Sequence, residues 1–392
     1  MSPDDICPRP QSLPPMATTP HAPPIYPASV WECESPQQAD EMLAGKVPGY
    51  VYQREGHPNA DLLAAKCREL HGAERAAITS TGMAALSVPL LALLKSGDHV
   101  ILGSKLYGKT QVLFRDEGAR LGIQVSIVDT CDLMATKAAL KPNTKLLVAE
   151  TIANPLLQVA DIAALAEIAH AGGAKLLVDN TFASPIICRP LDLGADLVME
   201  SLTKTLNGHS DVILGLICGK EELWGRIGPV ISAWGFTSGP FDCWLASRGI
   251  CTAHMRIERG SHHALVAAEF LKTSPKSVSE VFYPGLKDHP DHGLATKQFS
   301  PGLYGTMVSF TLRGGRPAAD AFIRGAKDIP FCPSLGELST TLSHPETTSH
   351  RGMTLEQRAA LGITGGTIRL SVGTESATFI QQALAQGLAA IA

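Results

Sequence analysis

Short, unbroken apolar runs separated by helical segments constrain this chain more than any other feature. His99–Gly103, Val125–Val128, Lys145–Ala149, Lys175–Val178 and Asp196–Met199 are dominated by Val, Leu and Ile and do not alternate with polar residues. A strand with one wet face alternates. A strand apolar throughout must be covered on both faces, which means a mainly parallel sheet between helical layers. Ala76–Thr79 is a further short apolar run, and Val212–Cys218 reads as one more strand. Asp61–Leu70 reads as a helix stopped at Gly72, and Asp161–Ala171 as a helix capped by Asp161 and stopped at Gly172-Gly173. Ser80-Thr81-Gly82-Met83 leads into a helical run over Ala84–Lys95, where Pro89 predicts a kink or a late start.

Beyond residue 240 the order changes. Helical material at 245–272 precedes a strand at Met307–Leu312, a helix at Ala318–Gly325, a strand at Thr367–Val372 and a final helix near 376–391. This predicts a smaller α/β domain after a large one. Ten of the 27 prolines fall within residues 1–36, which predicts an extended arm. No internal repeat is visible.

Composition narrows the function classes. Hydrophobic residues make up 45% and charged residues 18% of the 392, and the net charge is −4 with no basic block, which gives no reason to expect nucleic acid. No apolar run reaches the roughly 18 residues of a membrane span. Met1–Pro10 lacks the basic and apolar stretches of a secretion signal, and the nine cysteines form no C-x-x-C pair, so reduced thiols in the cytoplasm are expected. Cys188 and Cys218 read as core. The 13 histidines, His209, His262-His263 and His289/His292 among them, lack ligand spacing, and no metal is expected.

Ligands of open α/β sheets sit beyond the carboxyl ends of the strands. Glu150 and Asn154, Asp179, and Ser201, Thr203 and Lys204 all follow such ends. A lysine just past a buried strand suits a Schiff-base amine, because desolvation lowers its pKa; taken alone, Lys204 reads as a surface lysine. Asp179 is placed to pair with a pyridinium nitrogen, or else is a turn aspartate. Gly82 and Met83 precede a helix whose first amides and dipole suit a phosphate, and the hydroxyls of Ser201 and Thr203 suit the same anion. Tyr107 fits ring stacking or a core position. Tyr52 and Arg54 alternate in an extended stretch. Arg369, inside a strand, needs a partner and is a candidate clamp for a substrate carboxylate, or part of a structural salt bridge.

Together these segments resemble the Cys/Met-metabolism enzymes that depend on pyridoxal 5′-phosphate (PLP). That group holds cystathionine γ-synthase, cystathionine γ- and β-lyases, methionine γ-lyase and the O-acylhomoserine sulfhydrylases. The resemblance runs from about Pro23 to the C-terminus. It is densest at Val178-Asp-Asn-Thr-Phe-Ala-Ser-Pro185, Gly194-Ala-Asp196 and Ser201–Asp211. Further matches are Tyr50–Arg54, Thr81–Ala85, Gly97–His99, Leu106–Gly108, Ala153–Pro155, Ser334–Gly336 and Arg369–Gly373.

The resemblance implies a type I PLP-dependent transferase fold, aspartate-aminotransferase-like, in three parts. Residues 1–60 form an arm contacting a neighbouring subunit, 61–245 the large PLP-binding domain and 246–392 the small domain. It implies that Lys204 forms the Schiff base and moves protons, Asp179 holds the pyridine nitrogen, Tyr107 stacks on the ring, and Asn154 lies near the ring hydroxyl. Gly82, Met83, Ser201 and Thr203 would hold the phosphate, with Tyr52 and Arg54 reaching a neighbour's. Ser334, Arg369 and Tyr107 would meet the substrate. It also implies a dimer that shares sites, doubled to a homotetramer. The expected activity is γ- or β-replacement or elimination on cystathionine, O-acylhomoserine or a related sulfur amino acid. Methionine γ-lyase and O-acylhomoserine sulfhydrylase chemistry are alternatives, and a catalytically inactive binding protein is the alternative from another class. His57-Pro58-Asn59, Lys109 and Pro333 depart from the group's usual residues, and the last two leave the substrate open.

Overall fold

The computed structural model describes residues 18–391. The first 17 residues of the expected arm, including Cys7, lie outside the described residues, as does Ala392. Seven strands form one sheet: β1 (Arg75–Thr79), β2 (His99–Gly103), β3 (Gln124–Val128), β4 (Thr144–Glu150), β5 (Lys175–Asp179), β6 (Leu197–Ser201) and β7 (Gly215–Gly219). Their order is β1-β7-β6-β5-β4-β2-β3. The run from β6 to β3 is parallel, and β7 is antiparallel to both β1 and β6. Four more strands, β8 (Val278–Phe282), β9 (Met307–Leu312), β10 (Thr341–Ser343) and β11 (Thr367–Ser371), form an antiparallel sheet in the order β10-β11-β9-β8. Type and order fit a large, mainly parallel layer followed by a smaller α/β unit.

The helices that matter for the site are α1 (Pro58–His71), α2 (Gly82–Leu93), α3 (Ile162–Ala171), α4 (Trp224–Trp234), α5 (Pro240–Ile250) and α6 (Ala253–Lys272). Residues that point to opposite faces of the large sheet enter separate cores. Leu176, Val178 and Val198 pack with Leu63 of α1 and Leu165 of α3. Leu177, Leu197 and Met199 pack with Leu86 of α2 and Ile227 of α4. The small sheet has its own core around Phe310, Phe322 and Ile368.

Several boundaries differ from expectation for local reasons. Helix α1 starts at Pro58, because proline suits a first helical position and the His57 side chain accepts from the Ala60 N–H. Helix α2 starts at Gly82 rather than Ala84, capped by the Thr81 hydroxyl on the Ala84 N–H at 2.9 Å, and runs through Pro89 without interruption. Strand β7 starts at Gly215, later than expected. The Leu214 N–H is taken by the Thr203 hydroxyl, and a Cβ at Gly215 would sit 2.2 Å from the Thr81 carbonyl oxygen. Asp196 lies outside β6: its buried carboxylate accepts from the Leu176 N–H and pairs with His170, Lys175 and Lys220. The arm is not extended throughout, since Pro36–Leu43 is a helix capped by Ser35.

Candidate active site

The carboxyl ends of β4, β5 and β6 lie side by side, with Glu150 paired in register with Asp179 and Asp179 with Met199. Polar groups distant in the chain therefore meet at one edge. The Asp179 Oδ1 accepts from the N–H and hydroxyl of Thr181 at 3.0 and 2.6 Å, and the Thr181 hydroxyl accepts from the Ser201 N–H at 3.0 Å. Thr181 thus ties the two strand ends together. Burial raises the Asp179 pKa against these two bonds. No described residue donates to Oδ2, so the carboxylate keeps one acceptor for a cation brought to it. Glu150, also buried, accepts from the N–H groups of Tyr107 (2.7 Å) and Asn154 (3.3 Å). Burial and the nearby Asp179 push its pKa well up.

Lys204 follows β6 by three residues, and its Nζ donates to the Ser334 hydroxyl at 3.0 Å. Burial first, then the Arg369 guanidinium, lower its pKa, with Glu337 opposing them. Arg369 reaches the same place from β11. It donates to Asn154 Oδ1 at 2.8 Å and to the Ser334 carbonyl at 3.2 Å, and its Cζ lies 5.9 Å from the centre of the Phe182 ring. Burial lowers its pKa to about 10. The Arg369 Nε is buried without an acceptor. An unpaired guanidinium donor beside a depressed amine is costly in a closed core, and is what a site for an anionic group requires.

An anion cradle forms where α2 meets the end of β6. A Cβ on Gly82 would stand 3.0 Å from the Ser201 Cβ, so the N-terminus of α2 meets the end of β6 closely. The Thr81 hydroxyl and carbonyl take up the Ala84 and Ala85 N–H groups, while those of Gly82 and Met83 have no acceptor among the described residues. Two free amides at the start of a twelve-residue helix favour a phosphate. Ser201 adjoins them. The Thr203 hydroxyl is already engaged with the Leu214 N–H at 3.1 Å. An amine of lowered pKa, an aspartate with one open oxygen and an amide cradle together fit PLP, and the unpaired guanidinium nitrogen fits the carboxylate of an amino-acid substrate.

Tyr107 is part-exposed, tied to the site through its N–H on Glu150. Tyr52 and Arg54 are not joined to these groups. Arg54 bonds the Ser232 hydroxyl at 3.2 Å, pairs with Glu55 and lies over the Tyr52 ring. The departure His57-Pro58-Asn59 acts locally. Asn59 accepts from the Tyr26 N–H and donates to the Pro24 carbonyl, which fastens the arm. Lys109 is exposed. Cys188 and Cys218 are buried, as expected. The ring nitrogens of His209 and His292 bond the carbonyls of Asn207 and Pro284. Sequence reasoning missed Thr181 and assigned Glu150 no role. The first lay within the quoted Val178–Pro185 segment, where an Asp-x-Thr turn is the available signal.

The model of the "Cys/Met metabolism PLP-dependent enzyme" family matches residues 9–389. An L-methionine gamma-lyase of Porphyromonas gingivalis is 40% identical over 94% of this chain and 92% of its own length. An O-succinylhomoserine sulfhydrylase of Pseudomonas aeruginosa is 40% identical over 95% and 91%. The crystal structure of a cystathionine gamma synthase from Xanthomonas oryzae pv. oryzae superposes with a TM-score of 0.89 at 37% identity, covering 94% of this chain and 93% of that one. A match across nearly the whole chain, on a fold whose strand ends gather Asp179, Ser201, Lys204 and Arg369, makes this protein a member of the Cys/Met metabolism family of PLP-dependent enzymes.

Proposed function

We propose that the chain catalyses γ- or β-elimination or replacement on a sulfur amino acid or an acylated homoserine, with Lys204 as the covalent anchor of PLP. The observation that carries this reading is the link Lys204–Ser334–Arg369. It sets an amine of depressed pKa beside a guanidinium with an unused donor. When bound, PLP supplies an electron-withdrawing ring that stabilises negative charge at the substrate α-carbon.

The chain's own groups do the rest. Arg369 binds the substrate carboxylate through its fork, oriented by Asn154 and the Ser334 carbonyl, with Ser334 beside it. Binding there points the α-carbon toward Lys204, whose neutral amine takes the α-proton and returns it further along the side chain. Asp179 keeps the pyridine nitrogen protonated through its free Oδ2, and a cation there offsets the burial that raises its pKa. Gly82, Met83 and Ser201 would hold the phosphate, with Thr203, whose hydroxyl is spent on Leu214, bracing the turn beside them; Tyr107 would stack on the ring, and Asn154 Nδ2 is available to the ring hydroxyl. The exposed pair Tyr52 and Arg54 supports a phosphate contact across a dimer, and two such dimers would make a homotetramer. The eight described cysteines are all free, which supports a reducing, cytoplasmic setting. No described helix is long and apolar enough to cross a membrane.

A panel of cystathionine, methionine, O-succinyl- and O-acetylhomoserine, each with and without an added thiol, tests the reading. Products are scored as keto acid, free thiol and new thioether. At least one substrate is expected to give a keto acid or a thioether. PLP-loaded protein that yields none of these products, or only decarboxylation, would contradict it.

A further inference from the structure

We propose that Arg256 is a positioning residue for the reaction. From the first turn of α6 it clamps the loop on which Lys204 stands. This rests on Lys204 being the cofactor lysine. Arg256 is almost fully buried and uses all three guanidinium nitrogens. Nη1 donates to the Thr205 carbonyl at 2.8 Å. Nη2 donates to the carbonyls of Leu206 (2.8 Å), Gly249 (3.0 Å) and Asn207 (3.1 Å), and Nε to the Thr252 hydroxyl at 3.1 Å. No carboxylate pairs with it among the described residues, and burial lowers its pKa to about 10. A buried charge is normally matched by an opposite charge. Here three consecutive carbonyl dipoles, and a fourth from the end of α5, replace it.

Those carbonyls belong to the turn that follows Lys204. The Lys204 carbonyl is satisfied inside the turn by the Gly208 N–H at 2.8 Å. The carbonyls of Thr205 and Leu206 have no other partner among the described residues, so the turn depends on the guanidinium. Its shape is tailored to the clamp. Gly208 has φ +74°, and a Cβ there would lie 2.0 Å from Nη1. On the other side, a Cβ on Gly336 would lie 2.5 Å from the Thr205 nitrogen, and the Gly336 N–H is fixed on the Ser371 hydroxyl at 2.8 Å. The lysine turn is therefore held between α6 and the 334–336 segment that carries its hydrogen-bond partner Ser334. Lysine keeps the charge but cannot span four carbonyls and a hydroxyl.

The test compares wild type, Arg256→Lys and the milder Thr252→Val as holoenzymes. It measures thermal stability, the rate of PLP release, the pH titration of the bound cofactor's visible band, and kcat and KM. Sodium borohydride trapping then identifies the lysine that carries PLP. Arg256→Lys is expected to release PLP at least about tenfold faster and to lower kcat about tenfold, the size of one lost charge-assisted hydrogen bond. It should also shift the titration midpoint and leave KM within about threefold. Thr252→Val should move each readout the same way by less, and it serves alone if the lysine variant does not fold. A lowered melting temperature with unchanged release, titration and kcat would overturn the proposal while trapping still reports Lys204. Trapping on another lysine would instead overturn the cofactor-lysine reading, and this proposal with it.

Discussion

At the scale of single residues, the site is a set of charges that the fold holds at a cost. Arg369 is buried with its Nε unsatisfied, so its substitution tests the carboxylate clamp directly. Arg369→Met is expected to lower kcat/KM about a hundredfold or more, the loss of at least two charge-assisted hydrogen bonds. The PLP absorption should be kept, as steady-state kinetics beside a spectrum of the resting enzyme would show. His71 makes a second prediction. It is fully buried beside Glu200, and burial pushes its pKa from 6.5 down to about 3. Its folded pKa lies below the unfolded one. Its contribution to stability is therefore complete above about pH 6.5 and is lost as pH falls toward the folded value. By pH 5 that loss is about 2 kcal/mol. Urea unfolding at pH 7 and pH 5 should show a pH effect smaller by about this amount in His71→Gln than in wild type.

At the scale of elements, what the sequence reveals depends on whether a signal is local. Continuous apolar runs locate β2, β4 and β5 because burial on both faces leaves no other pattern, and Asp161 marks the start of α3 because capping acts within three residues. Asp179, Ser201 and Lys204 stand out in the sequence as candidates because strand ends collect ligands, and the structure sets these strand ends side by side. The start of β7 was not, because it depends on Gly215 meeting Thr81 across the sheet. Helix α4 and strands β8 and β10 went unread, since their burial is decided by distant packing. Arg256 was equally silent, because its partners are backbone carbonyls that carry no residue identity. The start of α2 gives the element-scale test. Gly82→Ala places a methyl against Ser201, and the affinity for PLP is expected to fall about tenfold with a small change in melting temperature. Titration of apoprotein with PLP measures it.

At the scale of the whole molecule, the two sheets meet at the chemistry. Asp179 ends β5 and Lys204 follows β6 of the large sheet, while Arg369 stands in β11 of the small one and Ser334 in the segment before β10. A shift between the two sheets would change the distance between the Lys204 amine and the Arg369 guanidinium. Tyr52 and Arg54 carry no bond to this site within one chain, and that makes a hybrid experiment decisive for the shared-site reading. Arg54→Ala and Lys204→Ala chains, each inactive alone, are unfolded together and refolded as a mixture. If sites are shared across a two-fold dimer, half the dimers are hybrids with one intact site of two, and about a quarter of wild-type activity returns. No recovery would place Arg54 outside the partner's site.

The central claim is that Lys204 binds the cofactor and carries the proton. The direct measurement is the visible spectrum and turnover of Lys204→Ala, purified with PLP and set beside Lys204→Arg. Both variants are expected to fold, to lack the wild-type absorption band and to lose all but a trace of turnover. A Lys204→Ala protein that stays yellow and turns over substrate at the wild-type rate would contradict the account.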